Sequence, residues 1–457
     1  MKTTLTIPAC FKAYDIRGRV PDELNPQLAR DIGRAFAAVF APRKVVVGRD
    51  IRLSSASLTK ALISGLLDSG VDILDLGLCG TEEIYHAAFS LESDGVDGGI
   101  VVTASHNPAD YNGMKLVTVG SRPVTGKSGL KAMAEMIVSD RLAALSAIKG
   151  KRSSVAGKAS YIQHLLGYVD LATLKPLKLV VNSGNGCAGA VIDLLEPHLP
   201  FTFIKAFHEP DGTFPHGVPN PLLPEKREET ARLVREHGAD LGIAWDGDFD
   251  RCFFWDAQGN FIEGYYIVGL LAQELLAQEP NGKILHDPRL IWNTQEQVQG
   301  AGGIPVMTRT GHAFIKERMR QEDAIYGGEM SAHHYFRDFG YCDSGMVPWL
   351  LICSLLSRKN VTLTSLVEDR MAAYPVSGEI NSVVDDPDAA IARVKARFAQ
   401  GEEDETDGLS VTFPDFRFNI RKSNTEPLLR LNVESRNDPA LLAEKTRELL
   451  ALIRDKS

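Results

Sequence analysis

The residues of this chain best suited to chemistry are one serine and a trio of aspartates. Ser105 lies in Thr103-Ala104-Ser105-His106-Asn107-Pro108, which continues as Ala109-Asp110-Tyr111-Asn112-Gly113-Met114-Lys115. The apolar lead-in Gly99-Ile100-Val101-Val102 reads as a strand that delivers Ser105 to a loop, and Pro108 keeps Asn107 out of helical angles. The Asn112-Gly113 pair predicts a further turn that brings Lys115 back toward the serine. A hydroxyl held this way, beside the His106 imidazole and close to an ammonium, is placed to accept and donate a phosphoryl group.

The aspartates follow a second apolar run, Leu241-Gly242-Ile243-Ala244-Trp245, in Asp246-Gly247-Asp248-Phe249-Asp250-Arg251. At alternate positions they point to one side of an extended segment, or wrap inward if the loop curls; either way three oxygens can reach one hard cation. Mg²⁺ suits such a set because it favours few carboxylates plus phosphate oxygens. A calcium EF-hand is excluded, since its required Gly and Glu are replaced by Arg251 and Ala257. A phosphatase using Asp246 as nucleophile is the rival enzyme, but its motif expects Thr or Val where Asp250 stands.

Four further stretches suit an anionic, hydroxylated ligand. Phe11-Lys12-Ala13-Tyr14-Asp15-Ile16-Arg17-Gly18 mixes aromatic and cationic side chains in a loop. Thr310, Gly311 and His312 stand at the start of a predicted helix, where N–H groups attract anions. Glu329, Ser331 and His333 fall within five positions and can bracket sugar hydroxyls. Arg421-Lys422-Ser423-Asn424-Thr425 links two predicted strands and makes a cradle for a phosphate dianion, with Arg430 on the strand that follows.

Taken together, Thr-Ala-Ser-His-Asn-Pro, Tyr-Asn-Gly-Met-Lys, Asp-Gly-Asp-Phe-Asp-Arg and Gly-Glu-Met-Ser-x-His resemble the motifs of the α-D-phosphohexomutase superfamily, and the likeness runs the length of the chain. It is nearest to the bacterial phosphomannomutase/phosphoglucomutase group. The resemblance implies reversible transfer between mannose 6-phosphate and mannose 1-phosphate, with the glucose pair as further substrates. It also implies a phosphoserine at Ser105, a glucose or mannose 1,6-bisphosphate intermediate, and Mg²⁺ held by Asp246, Asp248, Asp250 and Ser105. Tyr14, Arg17, His106, Lys115 and Arg251 would surround the phosphoserine, with Lys115 and His333 as candidate acid and base. Glu329 and Ser331 would hold O3 and O4, which glucose and mannose share, so discrimination at C2 would be poor. Arg421, Ser423, Asn424, Thr425 and Arg430 would grip the phosphate that does not react. Phosphoglucosamine mutase is the nearest relative to be separated, and its sugar loop carries Gly where this chain has Ala332. The non-enzymatic alternative is a sugar-phosphate-binding protein, which would need neither nucleophile nor metal trio.

The elements that must position these loops are α/β in pattern. Leu28 to Phe40 has helical spacing, and Lys44 to Asp50, Lys178 to Gly186 and Lys283 to Arg289 each place a lysine before an apolar run and a polar loop after it. Ser183-Gly184-Asn185-Gly186 reads as an anion nest or as a tight strand-to-helix turn. Lys158 to Val169 reads as a helix, and the basic segment Ile148 to Ser154 as a linker. The family architecture is then three similar α/β mixed-sheet domains plus a C-terminal α+β, TATA-box-binding-protein-like domain around a central cleft. The expected boundaries are 1–150, 151–255, 256–370 and 371–457.

The composition is that of an ordinary soluble globular protein, and the length predicts about three or four domains. The 457 residues are 44% hydrophobic and 24% charged, with a formal charge of −9, which argues against nucleic acid or an anionic membrane as partner. Six cysteines without Cys-x-x-Cys spacing read as reduced thiols of a cytoplasmic protein. The family default is a monomer.

Overall fold

A computed structural model describes residues 7–154, 158–422 and 428–455. It divides into two compact units, residues 1–261 with 335–358 and residues 262–334 with 359–457.

The first unit holds two mixed sheets. In one, the order is Ile16–Arg19, Tyr111–Thr118, Val96–Val102, Lys44–Arg49, Asp72–Leu78 and Arg152–Ser154. The strands from Val96–Val102 to Arg152–Ser154 are parallel, as helical crossovers demand, while Tyr111–Thr118 runs antiparallel to both its neighbours. Helices Pro26–Phe40 and Ser55–Asp68 bury Ile32, Phe36, Leu58 and Leu62 with Val45 and Val47 in one core. The first of them starts cleanly because the Asn25 side chain accepts from Leu28 N and Pro26 needs no donor. In the second sheet, Cys252–Trp255 lies antiparallel to Leu241–Trp245, which is parallel to Lys178–Asn182 and then Thr202–Ala206.

The second unit contains parallel strands Ile304–Met307, Lys283–His286 and Tyr326–Gly328, with helix His312–Glu322 between the first and last in sequence. Its C-terminal part is an antiparallel sheet in the order Ile380–Val383, Leu428–Ser435, Phe416–Lys422, Leu409–Thr412 and Glu402–Asp404. Period-two alternation sends Phe416, Phe418 and Ile420 into a core with helices Pro387–Arg397 and Pro439–Arg454. Arg417, Asn419 and Arg421 take the other face, which gives the expected α+β layering.

Two local expectations are overturned. Asn112-Gly113 is not a turn: both residues lie inside strand Tyr111–Thr118, with Gly113 paired to Arg17. Glycine is required there for closeness rather than for bending, since a Cβ would stand 2.1 Å from the Ile16 carbonyl oxygen. Lys115 comes back by antiparallel pairing with Val101 instead. The basic segment around Gly150 is also more than a linker, because Arg152–Ser154 extends the first sheet at its edge, where backbone bonds suffice and no apolar side chains are needed. Ser183 to Gly186 forms the tight turn between strand and helix, with Gly184 and Asn185 in the left-handed region. Among the described residues no single helix is long and apolar enough to cross a membrane.

Gly113→Ala is expected to destabilise the protein by about 3 kcal/mol, because a backbone must move to admit the methyl group. Denaturant melts of the two proteins measure this; equal stabilities would contradict the close-packed register.

Candidate active site

Ser105 and the aspartates meet where two strands of different sheets end. Strand Val96–Val102 runs into the Ser105 loop, and Leu241–Trp245 into the aspartate loop. Ser105 is almost fully buried and takes a left-handed conformation, φ 50°, which costs a non-glycine residue and is held by its surroundings. Its N–H donates to Thr103 Oγ1 at 2.9 Å, and Asn107 N–H donates to the Ala104 carbonyl at 2.9 Å.

The aspartate loop curls rather than extends: Phe249 N–H donates to the Asp246 carbonyl and Phe249 adopts φ 45°. Backbone packing brings it to the serine, for a Cβ on Gly247 would stand 2.6 Å from the Ser105 carbonyl oxygen. Ser105 Oγ donates to Asp246 Oδ2 at 2.6 Å, with His106 Nδ1 3.0 Å and Arg251 Nη2 3.5 Å from it. The Arg251 guanidinium forks onto Asp246 Oδ2, at 2.9 Å from Nε and 2.8 Å from Nη2, and also donates to His106 Nδ1.

Lys115 is drawn to the aspartates. Its Nζ donates to Asp248 Oδ2 at 2.8 Å and to Asp250. Burial disfavours the ammonium, but Asp248 and Asp250, with Asp343, outweigh it and hold the lysine pKa above its ordinary value. Burial likewise pushes Asp248 up, yet the pull of Lys115 and hydrogen bonds from Lys115 and Thr81 leave its carboxyl below the usual range.

One oxygen from each of Asp246, Asp248 and Asp250 lies within 4.8 Å of the others, and all three residues are buried. Asp248 Oδ1 is buried without a hydrogen-bond partner. Buried carboxylate oxygens do not stay unsatisfied without reason, and a hard divalent cation among three such groups satisfies them. The donor set therefore fits Mg²⁺.

Several residues that hold this arrangement escaped the sequence reading. Thr81 is fully buried; its hydroxyl donates to Asp248 Oδ2 at 2.5 Å and its N–H to the Asp248 carbonyl at 3.1 Å. Next to it, Glu82 accepts from Tyr161, Ser344 and the Gly345 N–H, and burial pushes its carboxyl up to about 8. Gly345 backs the aspartate loop, since a Cβ there would stand 2.4 Å from the Phe249 carbonyl oxygen. Arg52 and Asn107 belong to the same frame: the Arg17 guanidinium donates to Asn107 Oδ1 and Asp15 Oδ2, each at 2.6 Å. Tyr14 lies half-buried just before strand Ile16–Arg19, which carries Arg17.

The second unit has its own charged cluster. Arg289 forks onto Asp287 with two 2.9 Å bonds and reaches Glu329 Oε1 at 3.5 Å and Ser331 Oγ at 3.3 Å. Glu329 Oε1 also accepts from Gly311 N–H at 3.1 Å, and Thr310 N–H donates to Asp407 at 3.3 Å. Helix His312–Glu322 thus begins at amides already met by carboxylates. Arg421 and Arg430 converge on Glu379, at 3.3 and 3.1 Å, and Arg289 approaches it at 3.5 Å. Arg289, Asp287 and Glu379 were not singled out from sequence: Asp287 and Arg289 pair two positions apart, but Glu329 and Glu379 lie 40 and 90 positions from Arg289, too far to be visible as a motif. Glu329, Ser331, Thr310, Gly311 and His312 come together around this cluster or at the helix start beside it, and His333 sits in the same loop, its carbonyl accepting from Glu329 N–H. Ser423, Asn424 and Thr425 lie outside the described residues.

Family models for the α/β/α domains I, II and III of phosphoglucomutase/phosphomannomutase match residues 8–136, 159–259 and 263–374, and that for the C-terminal domain matches 379–451. This chain belongs to the phosphoglucomutase/phosphomannomutase family. It is 60% identical over 452 residues to a protein of Xanthomonas campestris pv. campestris described as phosphohexose mutases, covering 98% of this chain and 100% of that one. A phosphomannomutase of Salmonella typhimurium is 59% identical over 457 residues, with 98% and 100% covered. A solved phosphoglucomutase/phosphomannomutase family structure from Burkholderia thailandensis superposes with a TM-score of 0.86 at 33% identity, covering 98% of each chain.

Thr81→Val keeps the side-chain shape and removes the donor that orients Asp248. It is expected to weaken Mn²⁺ binding about tenfold, read by titration of the free ion; unchanged affinity would contradict the role given to the hydroxyl.

Proposed function

We propose that this chain interconverts the 6- and 1-phosphates of mannose, and those of glucose, by carrying a phosphoryl group on Ser105. Family membership makes it an isomerase of the phosphohexomutase kind. The observation that carries the reading is the 2.6 Å bond from Ser105 Oγ to Asp246 inside the buried aspartate trio.

In this reading phosphorylated Ser105 transfers its phosphoryl group to the free hydroxyl of a bound hexose phosphate. The bond from Oγ to phosphorus breaks and one from the sugar oxygen forms, the sugar hydroxyl gives up its proton and Oγ gains one, and the product is a hexose 1,6-bisphosphate. After the bisphosphate turns over, the bond from its other phosphorus to the sugar oxygen breaks as one to Ser105 Oγ forms; the serine proton passes to Asp246 Oδ2 or His106 Nδ1, both in reach, and the sugar oxygen takes up a proton. When held by Asp246, Asp248, Asp250 and Ser105, Mg²⁺ would neutralise charge growing on the transferred group. Arg251 adds its own positive charge close to Oγ. Lys115, an ammonium held by Asp248 and Asp250, and His333 are the proposed acid and base.

Recognition of the substrate is assigned to four other stretches. In this reading Glu329 and Ser331 bond sugar hydroxyls, and Thr310, Gly311 and His312 meet a substrate anion at the helix start in exchange for the carboxylates of Asp407 and Glu329. Arg421 and Arg430, with Ser423, Asn424 and Thr425, grip the phosphate that does not react. Tyr14 and Arg17 line the phosphoserine side. The expected domains 1–150, 151–255, 256–370 and 371–457 each hold one or more of these loops, counting that of the aspartates, with the first extended to Ser154 because Arg152–Ser154 pairs with its sheet, and we take the enzyme to be a cytoplasmic monomer.

A coupled assay primed with glucose 1,6-bisphosphate should give turnover with both mannose 1-phosphate and glucose 1-phosphate, and Ser105→Ala should lower it at least about 10³-fold. Mass spectrometry of the active enzyme should find phosphate on Ser105. Phosphate on Asp246 instead, with release of inorganic phosphate, would turn the reading into a phosphatase.

A further inference from the structure

Arg52 is buried, and its guanidinium touches neither the aspartate trio nor Ser105 Oγ. It gathers the main chain of the serine loop. Nη2 donates to the carbonyls of Ser105 at 2.8 Å and Asn107 at 2.6 Å, and Nη1 to those of Pro108 at 2.7 Å and Tyr111 at 3.0 Å. Four acceptors from one loop thus end on one planar fork, a match that the single point charge of a lysine cannot reproduce.

The arginine is itself anchored. Asp50 lies 3.3 Å from Nε, accepts from Arg52 N–H at 3.0 Å and from Ser55 Oγ at 2.5 Å, and the Phe214 ring lies 5.5 Å from the guanidinium carbon. Burial outweighs Asp50 and shifts the Arg52 pKa down from its high ordinary value, though an arginine keeps its charge in the physiological range. Ser105, meanwhile, holds a left-handed conformation that a loop free of constraint would leave.

We propose that Arg52 is the positioning residue of the phosphoryl carrier: by drawing four loop carbonyls to one buried cation it fixes Ser105 Oγ against Asp246 and sets the rate of phosphoryl exchange. This rests on the phosphohexomutase reading above. The substrate's sugar and its resting phosphate are assigned to other residues, so loss of Arg52 reaches the transfer step and leaves substrate binding alone.

The test uses two variants of the full chain. Arg52→Lys keeps the charge and loses the fork; the double variant Asp50→Asn with Arg52→Met removes both buried charges together, so that neither is stranded. Each is expected to lower kcat about 100-fold, with KM for mannose 1-phosphate changed less than about twofold and the lysine variant the more active. Hydrogen exchange should rise at the amides of residues 103–111 and stay level in the sheets. Wild-type kcat in either folded variant, or a loss confined to KM, would overturn the assignment. If the double variant fails to fold, the lysine variant decides. If the wild-type protein itself has no mutase activity, the functional reading falls, and exchange at 103–111 alone then decides whether Arg52 holds the loop.

Discussion

Three carboxylates buried within reach of one another are the constraint on which the first unit depends. Like charges at that spacing in a poorly solvated site are strongly unfavourable unless cations and donors compensate them. Asp246 is met by Arg251 and Ser105, and Asp248 by Lys115, Thr81 and Thr103. Lys115 serves Asp250 as well. The donors arrive from the serine loop, from strand Tyr111–Thr118 and from the start of helix Thr81–Ser90, so the folding of two sheets is what brings compensation to one loop. An unsatisfied oxygen on Asp248 is left over, and it is the feature that invites a divalent cation.

The second unit repeats the principle with the signs reversed in emphasis. Here arginines dominate: Arg289, Arg421 and Arg430 gather about Glu379, and Arg417 pairs with Glu434 at 3.1 Å. Arg417 also donates to the carbonyls of Pro288 and Arg289, and Tyr265 donates to Glu434 at 2.5 Å, which ties the polar face of the C-terminal sheet to the loop after Lys283–His286. Burial raises the cost of ionising Glu379, but the three guanidiniums more than offset it and hold its pKa low. A cluster of cations kept in place by a carboxylate is suited to receive a phosphate group, which offers more acceptor oxygens than the carboxylate does.

Much of this was legible because it is local. Apolar runs ending in polar loops located strands Val96–Val102, Leu241–Trp245 and Lys283–His286, and alternate aspartates announced a cluster of carboxylates that could hold a cation. What could not be read depends on distance along the chain: Thr81 lies 167 positions from Asp248, and Arg52 lies 53 from Ser105. Neither has a distinctive neighbourhood, and each acquires its role only when sheets align. Asn112-Gly113 misled for a related reason. The pair is a strong turn signal when the chain is considered alone, but here the absent Cβ lets neighbouring backbones approach, a tertiary demand that local propensity does not contain. The edge strand Arg152–Ser154 was hidden because its exposed side chains carry no apolar pattern.

The central claim is that Ser105 lends and recovers a phosphoryl group. A rapid-quench chase is its most direct test: the enzyme is labelled with ³²P on Ser105, mixed with unlabelled mannose 1-phosphate in the presence of Mg²⁺, and stopped within one turnover. The account predicts that label leaves the protein and appears first in a hexose 1,6-bisphosphate. Label that stays on the protein while product forms, or that leaves as inorganic phosphate, would contradict it.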